Sequence, residues 1–158
     1  MGYDLAIGDG EYYDLVLSLF EKVPFQKQLG LKPKYFSAER CEFTLSMKDE
    51  LVGNWVTGIL HGGAIATALD VVGGAVVFLA TRRHIDMQNV SLQDQDNKIA
   101  NVGTIDMRID YLHPGKGKEF IASATLLRAG NKVAVTRMAF HNENGLLIAT
   151  ATGTYLCG

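Results

Sequence analysis

The stretch from Gly58 to Ala80 holds one charged side chain, the carboxylate of Asp70, among apolar and small residues. Apolar surroundings strip water from a carboxylate, which disfavours its charged form and makes it a stronger base. Asp70 could therefore activate a water molecule against a carbonyl carbon, or attack that carbon directly through an anhydride. A structural aspartate that bonds to a neighbouring backbone group or hydroxyl is the alternative interpretation.

A histidine and two glycines, His61-Gly62-Gly63, stand at the predicted start of the helix that carries Asp70. Backbone N–H groups in the first turn of a helix have no partner within it and carry the positive end of its dipole. Because glycine has no Cβ, a carbonyl oxygen can come within hydrogen-bond distance of these amides. They are candidate donors to an oxyanion, although tight packing at a helix entry would also explain both glycines.

The helix that must position these groups is predicted over residues 60–83. One helical stripe is large and apolar and predicts a buried face: Ile65, Leu69, Val72, Val76 and Leu79. A second stripe is small and carries the only charge: Gly63, Ala66, Thr67, Asp70, Gly73, Gly74 and Val77. Each interior glycine costs about 1 kcal/mol relative to alanine, so we expect another group to approach this face closely. The helix approaches membrane-spanning length, but a carboxylate at its middle disfavours stable membrane insertion.

The rest of the chain predicts one α+β domain over residues 1–158, with an antiparallel sheet wrapped around the long helix. An amphipathic helix is predicted over 11–23, a strand through Cys41 to Met47, and a polar variable insertion over 86–101. Four later strands are predicted over 103–112, 118–128, 132–141 and 146–156, with a tight turn at Asn144-Gly145. In the first of these, simple alternation places Thr104 on one face with Asp106, Arg108 and Asp110.

Composition narrows the range of partners. A formal net charge of −2 over 158 residues gives no electrostatic reason to expect nucleic acid. The two cysteines, Cys41 and Cys157, have no metal-type spacing, and no secretory signal is evident, so we expect a reduced cytoplasmic setting. The histidines also show no metal-ligand pattern, and no metal or organic cofactor is predicted.

Several motifs together resemble the PaaI-type branch of the hotdog acyl-CoA thioesterases. They are Asn54, His61-Gly62-Gly63, Asp70, the stretch Gly103–Gly117 and the stretch Leu127–Val135. The resemblance implies a hotdog fold, hydrolysis of medium- to long-chain fatty acyl-CoA, and a place in fatty acid metabolism. It also implies a homodimer, often paired again as a dimer of dimers, with active sites at the dimer interface. A substrate tunnel or a partner backbone would then need the space on the small helical stripe.

The resemblance also implies roles for individual residues. Asp70 is the base or nucleophile, and Gly62 or Gly63 polarises the thioester carbonyl; we favour Gly62, which follows His61 immediately. Asn54 orients the water or the thioester, and Thr104 supports the reacting group. His61 either takes a direct chemical part or caps and braces the loop.

The turns that contact coenzyme A in relatives are basic in this chain as well. They offer positive charges and, we expect, free backbone amides for phosphate groups. Ordinary solvated turns are the alternative. The predicted substrate-binding residues are Gly63, His113, Gly115, Lys116, Arg128, Gly130, Asn131 and Lys132.

Three other functions remain open from the sequence. A hotdog dehydratase or hydratase would need a histidine with an acidic partner in a motif that is not evident here. A non-catalytic acyl-CoA binding or sensor module would keep the pocket, but it would need no carboxylate at Asp70. A thioesterase that prefers acyl-carrier protein to coenzyme A would keep both.

Overall fold

The computed structural model describes residues 10–20, 22–88 and 99–157. The first half of the chain forms two short helices and four strands: α1 (Gly10–Phe20), α2 (Pro24–Leu29), β1 (Leu31–Phe36), β2 (Arg40–Ser46), β3 (Val52–Asn54) and β4 (Ile59–Leu60). A 3-10 turn over Asp49–Leu51 precedes β3. The second half forms one long helix and four strands: α3 (Gly62–Met87), β5 (Gly103–Tyr111), β6 (Glu119–Ala129), β7 (Val133–Asn142) and β8 (Leu147–Leu156).

Six of the strands form one antiparallel sheet in the order β1-β2-β6-β7-β8-β5, and β3 pairs with β4 in a small separate hairpin. Helix α3 packs on one face of the large sheet, against β2, β5, β6, β7 and β8. This arrangement confirms the predicted α+β class, with an antiparallel sheet around a long central helix.

The apolar stripe predicted on the helix is buried at every position and forms the centre of the core. Opposite it lie the inward residues of the strands, which alternate with outward residues as the pleat requires. They include Phe43 and Leu45 on β2 and Phe120 on β6, all at most 1% exposed. Helix α3 is long and apolar enough to cross a membrane by length and composition, but here it is the core helix against which the sheet packs.

The bounds of α3 differ from the predicted 60–83. Ile59 and Leu60 pair with β3, so the helix begins at Gly62. It continues one turn further, to Met87, because Ile85 is fully buried and Arg82 pairs with Asp86 one turn apart. Residues 86 and 87 therefore belong to the helix, and 89–98 of the predicted 86–101 insertion lie outside the described residues.

The amino-terminal region contains two elements that the sequence pattern did not predict. The helix predicted over 11–23 ends at Phe20, and α2 then begins at Pro24, where a proline suits the first helical position. Strand β1 was missed because Pro33 and a bulge between Pro33 and Tyr35 interrupt its alternation.

The four predicted carboxyl-terminal strands are present, and each end lies within one residue of its predicted position. The turn at Asn144-Gly145 is also confirmed, with Gly145 in the left-handed region at a φ of 78°. Alternation was a reliable guide in β6, β7 and β8, where buried residues recur along each strand and face α3; in β5 only Met107 and Ile109 are partly buried.

Candidate active site

Asp70 is half-buried on α3 and accepts hydrogen bonds from two hydroxyls. Thr104 Oγ1 on β5 donates to Asp70 Oδ1 over 2.7 Å. The Tyr155 hydroxyl on β8 lies 3.4 Å from the same oxygen and 3.3 Å from the Asp70 main-chain carbonyl oxygen. Within the described part of the chain, no donor reaches Oδ2. That second oxygen is therefore the one available to a water molecule or a substrate.

Thr104 reaches Asp70 because of a bulge in β5. Thr104 lies opposite Tyr155 and Asp106 lies opposite Thr154, so Ile105 is an extra residue in the strand. Simple alternation would have grouped Thr104 with Asp106, Arg108 and Asp110, and that prediction was wrong. The inserted residue reverses the alternation and turns Thr104 toward the helix.

Tyr155 is a residue of this site that the sequence reasoning missed. Its side chain is 1% exposed. Burial, and then the negative charge of Asp70, raise the pKa of Tyr155 well above its usual range, so the phenol stays protonated and can donate. The signal that could have found it is Gly73, where a Cβ would lie 2.2 Å from the Tyr155 hydroxyl oxygen. The small stripe was predicted to admit a substrate or a partner, but at Gly73 it admits this side chain.

Asp70, Thr104 and Tyr155 line a cavity of about 380 Å³ between α1, α3 and the start of β5. Asp70 is the one charged side chain among its described lining residues. Its volume lies within the range of small-molecule pockets, which are mostly apolar with a few polar groups. The apolar lining comes from α1 and the segment after it, from α3, and from the approach to β5: Val16, Leu19, Phe20, Val23, Val71, Ala75, Phe78, Ile99 and Val102.

His61 caps the first turn of α3. Its Nδ1 accepts a hydrogen bond from the Gly63 N–H over 2.8 Å, so the other ring nitrogen, Nε2, carries the proton in the neutral ring. The amides of Ala64 and Ile65 both donate to the His61 carbonyl oxygen. Of the first four amides of the helix, only that of Gly62 lacks a partner among the described residues. This pattern favours Gly62 over Gly63 as the donor to an oxyanion.

The first turn of α3 is held from two sides. The Tyr111 hydroxyl at the end of β5 donates to the Gly62 carbonyl oxygen over 2.9 Å, a contact that the sequence did not indicate. Gly53 on β3 packs against His61 so closely that a Cβ would lie 2.6 Å from His61 Cα. These contacts fix the direction of the Gly62 N–H.

Asn54 shapes the turn between β3 and β4. Its Oδ1 accepts from the amides of Val56 and Thr57, over 3.0 and 3.3 Å, in the pattern of an Asx turn. The carboxamide oxygen is therefore occupied locally, and the NH2 group is the part left for a water or a thioester. Trp55, at the tip of the same turn, is 89% exposed.

The turn at 113–117 lies beside the start of α3 and is largely satisfied within the chain. Gly115 is buried, and its carbonyl oxygen accepts from the Leu60 N–H over 2.9 Å. His113 Nδ1 bonds to the Leu147 carbonyl oxygen. The Glu143 carboxylate accepts from the Lys118 N–H, and backbone donation of this kind lowers the pKa of Glu143. The His113 amide donates to the Ile148 carbonyl oxygen and the Lys116 amide donates to the Pro114 carbonyl oxygen, so these two amides are not free for a phosphate, while the Lys116 side chain is exposed.

The second basic turn, between β6 and β7, lies at the other end of α3. Arg128, Gly130, Asn131 and Lys132 are exposed, and the Gly130 amide donates to the Val133 carbonyl oxygen. Gly130 and Asn131 line a separate cavity of about 590 Å³, together with residues from the last turns of α3. Arg83, which lines it too, is thirteen residues from Asp70, or about 20 Å along the helix. This turn is therefore distant from Asp70 within one chain.

The predicted site residues thus form three groups within one chain. Asp70 lies with Thr104; His61, Gly62 and Gly63 lie with the turn at 113–117; and the hairpin turn at 128–132 stands apart. Gly62 and Asp70 are eight residues apart, or about 12 Å along the helix axis. A carbonyl oxygen and the carbon beside it are much closer than that. Within the described residues of one chain, the amide and the carboxylate therefore do not meet at one thioester. No three His, Cys, Asp or Glu side chains of the described residues lie together as a metal site.

An antiparallel sheet wrapped on one long helix, with a carboxylate at an apolar cavity, defines the class of hotdog thioesterases. The Thioesterase superfamily model matches residues 57–149, which include α3, Asp70 and Thr104. The chain belongs to the Thioesterase superfamily, and its fold is the hotdog fold.

Two relatives match almost the whole chain. An Escherichia coli K12 protein named "Medium/long-chain acyl-CoA thioesterase YigI" is 44% identical over 137 residues, which are 86% of each protein. A crystal structure of a Shewanella oneidensis protein related to the thioesterase superfamily is 39% identical, with a TM-score of 0.83. That match covers 96% of this chain and 100% of the other.

Proposed function

We propose that the protein hydrolyses medium- to long-chain fatty acyl-CoA to the free fatty acid and coenzyme A. The observation that carries this proposal is the half-buried Asp70 carboxylate on the wall of an apolar cavity of about 380 Å³. The name and 44% identity of the E. coli relative support acyl-CoA as the substrate. A cytoplasmic enzyme of fatty acid metabolism is the proposed setting, and the reaction needs only water besides the thioester.

Asp70 is the proposed base or nucleophile. Thr104 holds Oδ1 and leaves Oδ2 open, so Oδ2 can take a proton from water as that water attacks the thioester carbonyl carbon. Alternatively, Oδ2 attacks that carbon itself and forms an anhydride that water then cleaves. In both routes the C–S bond breaks and the coenzyme A thiolate takes up a proton.

The acyl chain is proposed to lie in the cavity beside Asp70. The cavity runs along one face of α3, where Val71, Gly74, Ala75 and Phe78 recur at helical spacing. Helix α1 forms the opposite wall. From Asp70 to Phe78 this face extends about 12 Å, and its depth suits a chain of several methylenes better than a short acyl group.

The oxyanion donor is proposed to be the Gly62 amide of a second copy of the chain. Strand β5 is an exposed edge of the large sheet, and a long unprotected edge strand is suited to pairing with another strand. Pairing of two β5 strands about a twofold axis would bring the second copy to the face that carries Asp70. A homodimer, itself paired into a dimer of dimers, is the proposed assembly.

Coenzyme A would then cross the surface between the two copies. The exposed cations on the basic turns, Lys116, Arg128 and Lys132, are the proposed partners for its phosphates. The turn at 113–117 would act mainly through the Lys116 side chain, because the amides of His113 and Lys116 are occupied and Gly115 is buried. The hairpin turn at 128–132 would have to come from a different copy than the Asp70 that it serves.

The deciding experiment compares native protein with Asp70→Asn, a substitution of the same shape. We expect the native protein to release free thiol from acyl-CoAs, and Asn to lower kcat by about 10²–10⁴ because it cannot accept the proton. Acyl-CoA binding, measured by calorimetry, should survive the substitution. The assay uses saturated acyl-CoAs of graded length and the same acyl groups on carrier protein.

Three other outcomes of this assay would contradict a part of the proposal. Binding without thiol release at any chain length would make the protein an acyl-CoA binding or sensor module. Faster turnover of carrier-protein thioesters would replace coenzyme A as the substrate. Full turnover by Asp70→Asn would leave the thioesterase but remove Asp70 from its mechanism.

A further inference from the structure

The Tyr155 phenol is a buried polar group aimed at the proposed catalytic carboxylate. A buried hydroxyl is costly unless it finds a hydrogen-bond partner. The Tyr155 hydroxyl lies close to two oxygens of Asp70, Oδ1 at 3.4 Å and the main-chain carbonyl at 3.3 Å, and the Thr136 side chain on β7 also interacts with it. A weaker contact joins the hydroxyl to Met138 Sδ at 3.7 Å. The hydroxyl is thus oriented toward Asp70.

Two glycines on separate elements make room for this hydroxyl. A Cβ at Gly73 on α3 would lie 2.2 Å from the hydroxyl oxygen, and one at Gly153 on β8 would lie 3.0 Å from it. Glycine weakens both a helix interior and a strand interior. The chain places glycine on the two sides where a side chain would displace the phenol from Asp70.

Tyr155 and Thr104 act on the same carboxylate oxygen from neighbouring strands. They lie directly opposite each other in the pairing of β5 with β8, and the bulge at Ile105 turns Thr104 to the same side. The Thr104 hydroxyl donates to Oδ1 over 2.7 Å, and the Tyr155 hydroxyl lies 3.4 Å from the same oxygen and 3.3 Å from the Asp70 main-chain carbonyl oxygen. Two donors on one oxygen fix the plane of the carboxylate and direct the other oxygen away from them.

We propose that Tyr155 is a positioning residue, whose hydroxyl holds the Asp70 carboxylate in its reactive orientation. This inference depends on the proposed function in one respect, namely that Asp70 is the group that takes the proton. Tyr155 itself does not contact the substrate carbonyl in this proposal. Because burial keeps the phenol protonated, it remains a donor throughout the pH range in which Asp70 is charged. Asp70 is the one charged group among the described residues lining the cavity they share.

The test is Tyr155→Phe, which keeps the ring in its niche and removes only the hydroxyl. We expect kcat to fall about tenfold, the lower end for a hydrogen bond to a charged group, because the bond is long. KM for acyl-CoA should change less than twofold. The matched control is Tyr35→Phe on β1, which should leave both kcat and KM unchanged.

A second readout does not depend on turnover. In ¹³C NMR, the Asp70 carboxyl carbon should have a different chemical shift in Tyr155→Phe than in native protein at the same pH, because the carboxylate loses the contact with the Tyr155 hydroxyl. If the native protein shows no turnover but this difference appears, the proposed function fails and the positioning role stands. If Tyr155→Phe keeps the native kcat and the native chemical shift of the Asp70 carboxyl carbon, Tyr155 only fills space and the inference is overturned, while the proposed function is unaffected.

Discussion

Gly62 and Gly63 are adjacent in the sequence but have different hydrogen-bonding environments. The Gly63 N–H is bound by the His61 ring, whereas the Gly62 N–H has no partner among the described residues. The Gly62 carbonyl is held by Tyr111, which fixes the peptide on the other side of the residue. A preorganised free amide at the positive end of a helix is the arrangement that stabilises an oxyanion.

Replacing Gly62 by proline should remove this amide without disturbing the helix. Proline suits the first helical position, and His61, with φ −65° and ψ 134°, has the backbone conformation preferred before proline. A Cβ at Gly62 would come no closer than 3.5 Å to a neighbour. We expect Gly62→Pro to lower kcat by about 10²–10³ with Tm nearly unchanged.

Gly62→Ala is the matched control, because it adds the same Cβ and keeps the N–H. It should retain kcat within a few-fold of native in the same thiol-release assay. Equal losses in both variants would mean that the side chain, and not the amide, is the cause. Native turnover in the proline variant would place the oxyanion donor elsewhere.

At the scale of elements, α3 has three different faces. The large apolar stripe packs on the sheet, Gly73 accepts Tyr155, and a third face lines the cavity with Gly74, Ala75 and Phe78. The whole small stripe was predicted to face one approaching group. In the structure Gly73 packs against Tyr155, whereas Asp70 and Gly74 line the cavity. The element that completes the cavity is α1, so the length of chain that fits depends on how α1 lies against α3.

Enlarging a side chain on the cavity face should shorten the preferred acyl chain. Ala75→Leu adds three carbons to the cavity wall about one turn beyond Asp70. A buried methylene contributes about 0.8 kcal/mol, or roughly fourfold in kcat/KM. We therefore expect the ratio of kcat/KM for long over short acyl-CoA to fall by tens of fold.

Short-chain acyl-CoA is the internal control in this experiment, because it should not reach Ala75. Its kcat/KM should stay within a few-fold of native. Phe78→Ala, which removes bulk deeper in the cavity, should shift the preference toward longer chains. Parallel changes at all chain lengths in both variants would show that the acyl group lies somewhere else.

At the scale of the whole molecule, the separation of Gly62 from Asp70 has a direct consequence. About 12 Å of helix lies between them. Each of the two positions in one chain therefore holds only one of the two groups that a complete site needs. A dimer with twofold symmetry would form two complete sites, each with Asp70 from one copy and Gly62 from the other.

Complementation between two inactive variants tests this arrangement. Asp70→Asn and Gly62→Pro, unfolded together and refolded as a mixture, should form mixed dimers in which one of the two sites is intact. Random pairing then predicts recovery of about a quarter of native activity. Each variant refolded alone is the control and should stay inactive. No recovery, with mixed dimers demonstrated by mass, would place both groups of a site on one chain.

The sequence by itself determined the α+β plan, the four carboxyl-terminal strands and the buried face of α3. Those predictions depend on periodic burial, which is clear in β6, β7 and β8; in β5 only Met107 and Ile109 are partly buried. The sequence also singled out Asp70, because a charge in an apolar helix is visible without coordinates. Strand β1 was missed where Pro33 and a bulge interrupt the period.

Only the tertiary structure decided which side chains surround Asp70. Alternation placed Thr104 on the wrong face, because one inserted residue at Ile105 reverses a strand without leaving a signal in composition. Tyr155 is 85 residues away from Asp70 in the chain, and no local pattern links the two. The interior glycine at Gly73 indicates that another group packs closely against the helix there, but it does not identify that group. The packing of distant strands decides that the group is the Tyr155 side chain.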